Sequence, residues 1–138
     1  MASPQPERIE KAFRDTQAAG IGTYAYMMIG IPSETEAEMY RSVDFSIALK
    51  AEYAQFSVCT PYPKTALYQR MLADGIVPED YWLDFAKRPS EDFRIRFYNP
   101  DFKEEDLRRI QDECHRRFYA RPGVMAREML RLRSWTDL

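Results

Sequence analysis

The sequence predicts an α/β fold of two parallel βα units followed by an α-helical extension. Two stretches carry this prediction, residues 23–34 and 53–68, because each runs from an apolar β-type segment through a proline turn into a helix start. The connection between the two strands has room for a helix, and a strand–helix–strand unit of this kind is parallel and right-handed. We therefore expect βα units over residues 1–76 and an irregular linker with helices over residues 77–138.

Composition and charge exclude several classes of protein. The chain has 138 residues, of which 45% are hydrophobic and 14% aromatic, which is enough apolar surface for a folded core. The net charge of -2 does not indicate a nucleic-acid-binding surface. The sequence also lacks the run of about 18 apolar residues that would predict a membrane span. The N-terminal residues are partly acidic and lack an apolar stretch, so we expect no signal peptide and a cytoplasmic location.

The cysteines and the histidine do not predict a metal site. Cys59 and Cys114 lie far apart without paired spacing, which argues against a disulfide framework and against a cysteine-pair zinc site. Cys59 is expected to be a small buried hydrophobe on a strand. His115 lies in a charged stretch with helical character and is expected to be a surface or half-buried residue. We predict no metal ligand and no catalytic residue.

The first unit begins with a predicted helix over residues 6–19. Apolar residues recur there at helical spacing, and Gly20 provides a natural end. Residues 21–29 then carry apolar or aromatic side chains at nearly every position. This pattern is typical of a strand that is buried on both faces, as in parallel sheets covered by helices.

The turn at residues 30–32 ends the first strand, because Pro32 cannot donate a hydrogen bond to a β-ladder. Ser33 is the preferred N-cap of the helix that follows, with Glu36 completing a capping box. That helix is expected over residues 34–50. Its predicted buried stripe consists of Met39, Val43, Ile47 and, as a further candidate, Phe45.

The second predicted strand, residues 53–59, has two different faces. One face is apolar, whereas the other is more polar and carries Gln55 and Ser57. A polar face on an inner strand suits the lumen of a barrel or the wall of a cleft. A rigid loop with two prolines follows, and Thr65 is expected to cap a third helix over residues 66–74.

The C-terminal half is less regular. Residues 76–102 predict a helical turn near 78–86 and a brief extended segment at 93–98. A helix is expected over residues 103–119, with a buried face formed by Leu107, Ile110, Cys114 and Phe118. A last helix begins at Pro122 and carries Met125, Met129 and Leu132. Arginines are dense in both helices, but acidic residues are mixed among them, which favours a solvated surface over a nucleic-acid groove.

The motifs occur in a recognisable order. A helix ending in Ala-Gly-Ile leads through a strand to Gly-Ile-Pro-x-Glu-Thr and a helix, and the second strand leads to Pro-Tyr-Pro-x-Thr-x-Leu-Tyr, a helix and Gly-Ile. This order resembles the C-terminal half of the radical SAM core, over residues 8–76 and less closely over 105–132. It is similar in particular to the subgroup with an N-terminal cobalamin-binding domain, which includes anaerobic Mg-protoporphyrin IX monomethyl ester cyclases and several methyltransferases. The fold implied by the resemblance is a fragment of a partial TIM-like barrel.

The resemblance also implies a set of cofactor-binding positions. Ile29, Gly30 and Ile31 match the strand end that lies beside the adenine of S-adenosylmethionine in the family. A buried strand end closed by a turn explains Ile29 equally well. Pro61 and Tyr62 match the second motif at the C-terminal end of a barrel strand, where such folds place their sites. A stiff structural turn is the alternative there.

Other matches and departures limit what the resemblance implies. Glu34 and Thr35 match the Glu-Thr pair of the family, yet capping of a helix explains them without a ligand. Ser33 and Lys64 replace glycines that are usual in the two motifs, and Lys64 is expected to avoid a positive φ angle. The sequence contains no Cys-x-x-x-Cys-x-x-Cys for a [4Fe-4S] cluster and no Asp-x-His-x-x-Gly for cobalamin. We therefore expect no cofactor in this chain alone, whereas a parent enzyme would hold S-adenosylmethionine, the [4Fe-4S] cluster and, as a further candidate, cobalamin.

These observations predict a fragment of a radical SAM oxidoreductase of the cyclase type, which contributes part of the S-adenosylmethionine pocket wall and of a substrate lid. The first alternative is a radical SAM methyltransferase fragment. A second is a non-catalytic α/β module that binds a partner through its arginine-rich helices, and a third is an enzyme that uses Glu34 or Asp84 as a general base. The expected partner is the remaining N-terminal part of the radical SAM core. An exposed strand edge would also cause self-association.

Overall fold

The computed structural model describes residues 5–76, 80–97 and 99–131, which contain six helices and one two-stranded sheet. The elements in chain order are α1 (Pro6–Ala18), β1 (Tyr24–Ile29), α2 (Glu36–Ala48), β2 (Tyr53–Val58), α3 (Ala66–Ala73), α4 (Tyr81–Lys87), α5 (Glu104–Tyr119) and α6 (Pro122–Arg131). The α/β class is confirmed. None of the described helices combines the length and the apolarity that crossing a membrane requires.

The two strands are parallel, as the strand–helix–strand pattern predicts. Tyr24 pairs with Tyr53 at one end of the ladder, and Ile29 pairs with Val58 at the other. Side chains alternate between the faces of a strand, so one face of the sheet carries Ala25, Ile29, Ala54, Phe56 and Val58, all of them buried. These residues form one hydrophobic core together with residues of α2 and α5. Both helices therefore lie on the same face of the sheet.

The prediction that β1 is buried on both faces is wrong. Tyr24, Tyr26 and Met28 are 44%, 75% and 57% exposed. The physical reason is that α2 and α5 cover one face of the sheet, and no other described element covers the opposite face. On that open face the ring of Tyr24 stacks on Tyr26 at 4.5 Å and on Tyr53 at 6.0 Å. The alternation predicted for β2 is confirmed, because Ala54, Phe56 and Val58 are buried while Gln55 is exposed.

The N-cap of α2 is Thr35, and the predicted Ser33 is wrong. The backbone N–H of Glu38 donates to Thr35 Oγ1 at 3.3 Å, and the Thr35 N–H donates to Glu38 Oε2 at 2.8 Å, which completes a capping box. The hydrogen bonds that Glu38 Oε2 accepts from the Thr35 N–H and from the Thr35 hydroxyl, at 2.8 Å, hold the pKa of the Glu38 carboxyl below its usual value. Ser33 cannot take this role because its φ angle of 75° belongs to the preceding turn, whereas an N-cap needs extended backbone.

The buried face of α2 differs from the prediction at one turn. Met39 and Val43 are buried as expected, but the third buried residue is Ser46, whereas Ile47 and Phe45 are only partly buried. Ser46 tolerates full burial because its hydroxyl donates to the Ser42 carbonyl oxygen at 2.8 Å.

The long helix α5 packs against β2 and α2. Its predicted buried face is confirmed, because all four residues are 0% exposed: Leu107, Ile110, Cys114 and Phe118. The ring of Phe118 meets the ring of Phe56 edge-on at 6.2 Å. Helix α5 thus supplies much of the core on the covered face of the sheet.

Polar side chains of α5 also bind the outer edge of β2. The Tyr119 hydroxyl accepts a hydrogen bond from the Ala54 N–H at 3.1 Å and donates to the Ala54 carbonyl oxygen at 2.7 Å. The Phe56 N–H donates to His115 Nε2 at 3.3 Å, and Gln111 Nε2 donates to the Phe56 carbonyl oxygen at 2.7 Å. This edge is therefore occupied by side chains. His115 is a half-buried structural residue, as the sequence predicts.

The region between α3 and α5 is only partly as predicted. Helix α4 confirms the helical turn expected near residues 78–86, although positions 78 and 79 lie outside the described residues. Residues 93–97 form no β-strand, so the extended segment expected at 93–98 stays a prediction, and position 98 is not described. Leu132, predicted in the last helix, also lies outside the described residues. A small second core of Tyr68 and Met71 lies here, packed against Tyr81 and Trp82.

One non-glycine residue in each of the two loops that follow the strands adopts a backbone conformation that favours glycine. Ser33 has a φ angle of 75° and Lys64 one of 67°, so the expectation that Lys64 avoids a positive φ is wrong. Both positions carry glycine in the family that the motifs resemble, and the turns retain the glycine-like geometry with a side chain in place. A non-glycine residue in this region is strained by about 1–2 kcal/mol.

We expect Ser33→Gly and Lys64→Gly each to raise the free energy of unfolding by about 0.5–1 kcal/mol, since part of the relieved strain is offset by the entropy of glycine in the unfolded chain. Chemical denaturation measures the change. Lys11→Gly is the matched control, because Lys11 lies inside α1, where glycine costs about 1 kcal/mol. Destabilisation by the two turn substitutions would contradict the strain argument.

Candidate functional site

The carboxyl ends of the two strands define the candidate site. Because β1 and β2 are parallel and Ile29 pairs with Val58, both strands end at the same side of the sheet. Open α/β sheets bind ligands outside the carboxyl ends of their strands. The candidate binding surface therefore lies at the loops of residues 30–35 and 59–65.

Gly30 shapes the first loop. Its φ angle is +72°, and a Cβ atom at this position would lie 3.0 Å from Leu107 Cδ2 and 3.4 Å from Val58 Cγ1. Glycine is thus favoured both by the backbone conformation and by the close approach of α5. The position sets the direction in which the chain leaves β1.

Asn99 fixes this loop from a distant part of the chain. Its Nδ2 donates to the Gly30 carbonyl oxygen at 3.1 Å, while its Oδ1 accepts hydrogen bonds from the N–H groups of Asp101 and Phe102. The segment before α5 is thereby tied to the end of β1. Asn99 is not predicted from the sequence, since no local motif marks a contact across so many residues.

Glu34 and Thr35 have structural roles in this loop. The Ile31 N–H donates to Glu34 Oε2 at 3.0 Å, and the Glu34 N–H donates to the Ile31 carbonyl oxygen at 2.9 Å. Thr35 caps α2. Turn formation and helix capping account for both residues without a ligand, which agrees with the structural interpretation of the Glu-Thr pair.

The loop after β2 is held by short-range hydrogen bonds. Thr60 Oγ1 donates to the Val58 carbonyl oxygen at 3.1 Å, and Thr65 Oγ1 donates to the Tyr62 carbonyl oxygen at 2.6 Å. Thr65 Oγ1 also accepts from the Tyr68 N–H at 3.2 Å, which confirms it as the N-cap of α3. Tyr62 is therefore carried on a well-supported turn.

The predicted cofactor-binding residues lie in two environments. Ile29 is 0% exposed, and its side chain belongs to the hydrophobic core. Gly30 and Pro61 are also buried, whereas Ile31 is 46% and Tyr62 55% exposed. Only Ile31 and Tyr62 therefore present side chains to a ligand, and the binding role of all five residues stays a prediction.

An aromatic cluster stands beside Tyr62. The Tyr62 ring lies 5.8 Å from Trp82 of α4, and Trp82 lies 5.0 Å from Phe93. A mostly apolar cleft of about 440 Å³ separates α3 from α4. It is lined by Pro63, Lys64, Tyr68, Gln69, Asp80, Trp82, Leu83, Phe85 and Ala86. Helix α4 is thus positioned next to the loop that carries Tyr62.

Tyr68 and Asp80 join α3 to the start of α4. The Tyr68 hydroxyl donates to Asp80 Oδ1, and the same oxygen accepts from the Leu83 N–H at 3.1 Å as the cap of α4. Burial, together with the hydrogen bond to the carboxylate, raises the pKa of Tyr68 to about 12. The phenol therefore remains protonated at neutral pH and acts as a structural donor.

The open face of the sheet adjoins the candidate site. Tyr24, Tyr26 and Met28 share this face with Gln55, whose Nε2 donates to Ser57 Oγ at 3.4 Å. The sequence predicts Gln55 and Ser57 for such a polar face but misses the two tyrosines. In the register of the sheet Tyr26 pairs with Gln55 and Met28 with Ser57, so these four side chains share one face.

The described residues offer no metal site and no activated thiol. No group of three or more His, Cys, Asp and Glu side chains in the described part of the chain is arranged to hold a metal ion. Cys59 and Cys114 are both buried and free, and burial raises the pKa of both thiols, that of Cys114 to about 11. Neither is a thiolate nucleophile at neutral pH.

The arginines of α5 lie next to carboxylates. Arg109 is 3.4 Å from Glu36, and both Arg116 and Arg117 form ion pairs with Glu113. The guanidinium of Arg117 also stacks over the Tyr40 ring at 3.7 Å. This pairing is typical of a solvated amphipathic helix.

Comparison with known proteins gives one informative similarity. No protein-family model matches the chain. Over 124 residues, or 90% of its length, the chain is 26% identical to a protein of Pyrococcus horikoshii named as an uncharacterized methyltransferase. The matched region is 26% of that protein, so the chain spans about a quarter of the length of this relative. The similarity gives no support to the cyclase interpretation.

Proposed function

We propose that the chain is part of a radical SAM methyltransferase and supplies one wall of its S-adenosylmethionine pocket. The observation that carries this proposal is the similarity of nearly the whole chain to a protein named as a methyltransferase. It favours the methyltransferase alternative over the cyclase. The radical SAM part of the proposal rests on the two motif loops, which meet at the carboxyl ends of β1 and β2.

The proposed wall consists of the two exposed residues at this edge. Ile31 offers an apolar side chain for one face of the adenine, and Tyr62 offers an aromatic ring on a supported turn. Gly30 would contribute its backbone, and Asn99 positions that backbone through the Gly30 carbonyl oxygen. Helix α4 and its aromatic cluster would form the adjoining part of a substrate lid.

The residues present fit S-adenosylmethionine in part and do not fit the other cofactors. The sequence lacks the cysteine triad for a [4Fe-4S] cluster, and its two cysteines are buried in the core. It also lacks the cobalamin-binding Asp-x-His-x-x-Gly motif. Under this proposal the remaining part of the radical SAM core would be the partner that brings the cluster, and this chain would bind and orient the adenosyl group.

Titration of the isotopically labelled chain with S-adenosylmethionine, followed by NMR, tests the proposal. We expect weak, saturable shifts at Ile31 and Tyr62, with a dissociation constant on the order of 1 mM because only part of the pocket is present. Tyr62→Ala should weaken binding. The methyl groups of Met125 and Met129 in α6 are the internal control and should not move.

Adenosine alone should shift the same resonances, since the proposed contacts are made to the adenosyl group. Shifts confined to other surfaces, or none at about 10 mM ligand, which is well above the expected dissociation constant, would refute this pocket wall.

A further inference from the structure

The two edges of the sheet differ in their hydrogen-bonding state. On β2, the outward N–H and C=O groups of Ala54 and Phe56 are bound by side chains of α5. Gln111 and His115 bind the two groups of Phe56, and Tyr119, four residues after His115, binds those of Ala54, two residues from Phe56 on the strand. A helix advances about 6 Å over four residues, and a strand advances about 6.6 Å over two. Because these distances match, α5 takes the place of a neighbouring strand and closes the sheet on this side.

On β1, the opposite edge is open within the described residues. The Thr23 carbonyl accepts from the Tyr53 N–H at 3.3 Å, and the Ile29 carbonyl accepts from the Cys59 N–H at 2.8 Å. Alternate residues of a strand bond to the same neighbour, so Tyr24, Tyr26 and Met28 direct their backbone groups away from β2. No hydrogen bond between described residues reaches the backbone of these three.

The open edge lacks the features that normally prevent strand pairing. Natural edge strands carry charged residues, proline or bulges, but the sequence of β1 is Tyr-Ala-Tyr-Met-Met-Ile. Its exposed side chains are large and apolar or aromatic, with Tyr26 75% exposed. A net charge of -2 adds little repulsion between copies of the chain.

We propose that β1 is a dimerisation edge and that its occupant in the isolated chain is β1 of a second copy. A strand is complementary to itself only in the antiparallel direction, across a two-fold axis. The outward positions 24, 26 and 28 are symmetric about Tyr26, so this residue faces its own copy at the axis and Tyr24 faces Met28. Each facing pair exchanges both backbone hydrogen bonds. The product is a four-stranded sheet closed at both outer edges by α5. It concerns the isolated chain, whereas in a parent enzyme the remaining core is the proposed partner.

Charge placed at the proposed axis tests this arrangement. Sedimentation velocity over a range of concentrations should show a reversible dimer, which is weak because a six-residue edge buries less than the roughly 1,000 Å² of stable interfaces. Tyr26→Lys sets two like charges opposite each other and should weaken dimerisation at least about ten-fold. Gln55→Lys is the matched control, since Gln55 is exposed on the same face and pairs with Tyr26 from the inner strand. It should weaken dimerisation by less than about three-fold.

Amide exchange of the unsubstituted chain gives an independent measurement. The amides of Tyr24, Tyr26 and Met28 should exchange more slowly as the concentration rises, whereas those of Ala25 and Met27, which already bond to β2, should not change. A strict monomer at about 1 mM, equal effects of both lysine variants, or polydisperse aggregates would each overturn the proposal.

Discussion

Phe56→Ala is expected to lower the free energy of unfolding by about 3–5 kcal/mol, the range for large-to-small substitutions of buried aromatic residues. Phe56 of β2 is 0% exposed, and its side chain packs in the core between the sheet and α5. Its ring meets His115 edge-on at 5.4 Å and Phe118 at 6.2 Å. Removing it leaves a cavity under the helix that closes the sheet, and a domain with a total stability of about 5–15 kcal/mol would become marginal.

Urea denaturation measures this loss, and Tyr26→Ala is the matched control. Tyr26 is an aromatic residue of the neighbouring strand and directly precedes Met27, the residue that pairs with Phe56. Unlike Phe56, it is 75% exposed, on the open face of the sheet. Its substitution should change the stability of the monomer by less than about 0.5 kcal/mol. Similar losses in the two variants would mean that the sheet face covered by α5 is not the core of the protein.

Gly30→Ala is expected to cost about 2–5 kcal/mol, the sum of two effects. A left-handed backbone costs a non-glycine residue about 1–2 kcal/mol, and overpacking costs about 1–3 kcal/mol. The overpacking arises because the new methyl group would lie 3.0 Å from Leu107 Cδ2. Since Gly30 directs the loop that carries Ile31, the S-adenosylmethionine binding that we propose should also weaken in this variant.

Gly20→Ala separates the two effects. Gly20 has a φ angle of +74°, but a Cβ atom there would meet nothing within 4 Å. This control should therefore show only the backbone cost of about 1–2 kcal/mol. Equal losses at Gly20 and Gly30 in thermal or chemical denaturation would exclude the clash with Leu107.

Sequence patterns predicted the helices and the core of α5 well. A stripe with a 3.6-residue period identifies a buried face without knowledge of the partner, which is why Leu107, Ile110, Cys114 and Phe118 were all assigned correctly. The cap of α2 was predicted at Ser33 because Glu36 follows three residues later, which is the pattern of a capping box. The choice depends on the φ angle of the turn, which residue types alone do not reveal.

The candidate site was only partly predictable, because part of it depends on conformation and on distant contacts that residue types alone do not reveal. Local motifs located Gly30 and Tyr62 at the ends of the strands, because the turn that follows a strand in a βα unit is determined by residues adjacent in sequence. They could not reveal Asn99, whose contact with Gly30 joins distant segments. Nor could they tell that the side chain of Ile29 turns towards the core, because that depends on which face α2 and α5 cover.

The sequence by itself determined the order of the elements, the parallel pairing of two strands and the turns that end them. These features follow from local sterics, hydrophobic period and connection length. Only the tertiary structure decided that, among the described residues, β1 is open on one face and one edge, and that α5 closes the edge of β2. The physical reason is that exposure and edge pairing depend on which elements lie nearby. The residue pattern of an apolar strand such as residues 24–29 is the same whether or not other elements cover it.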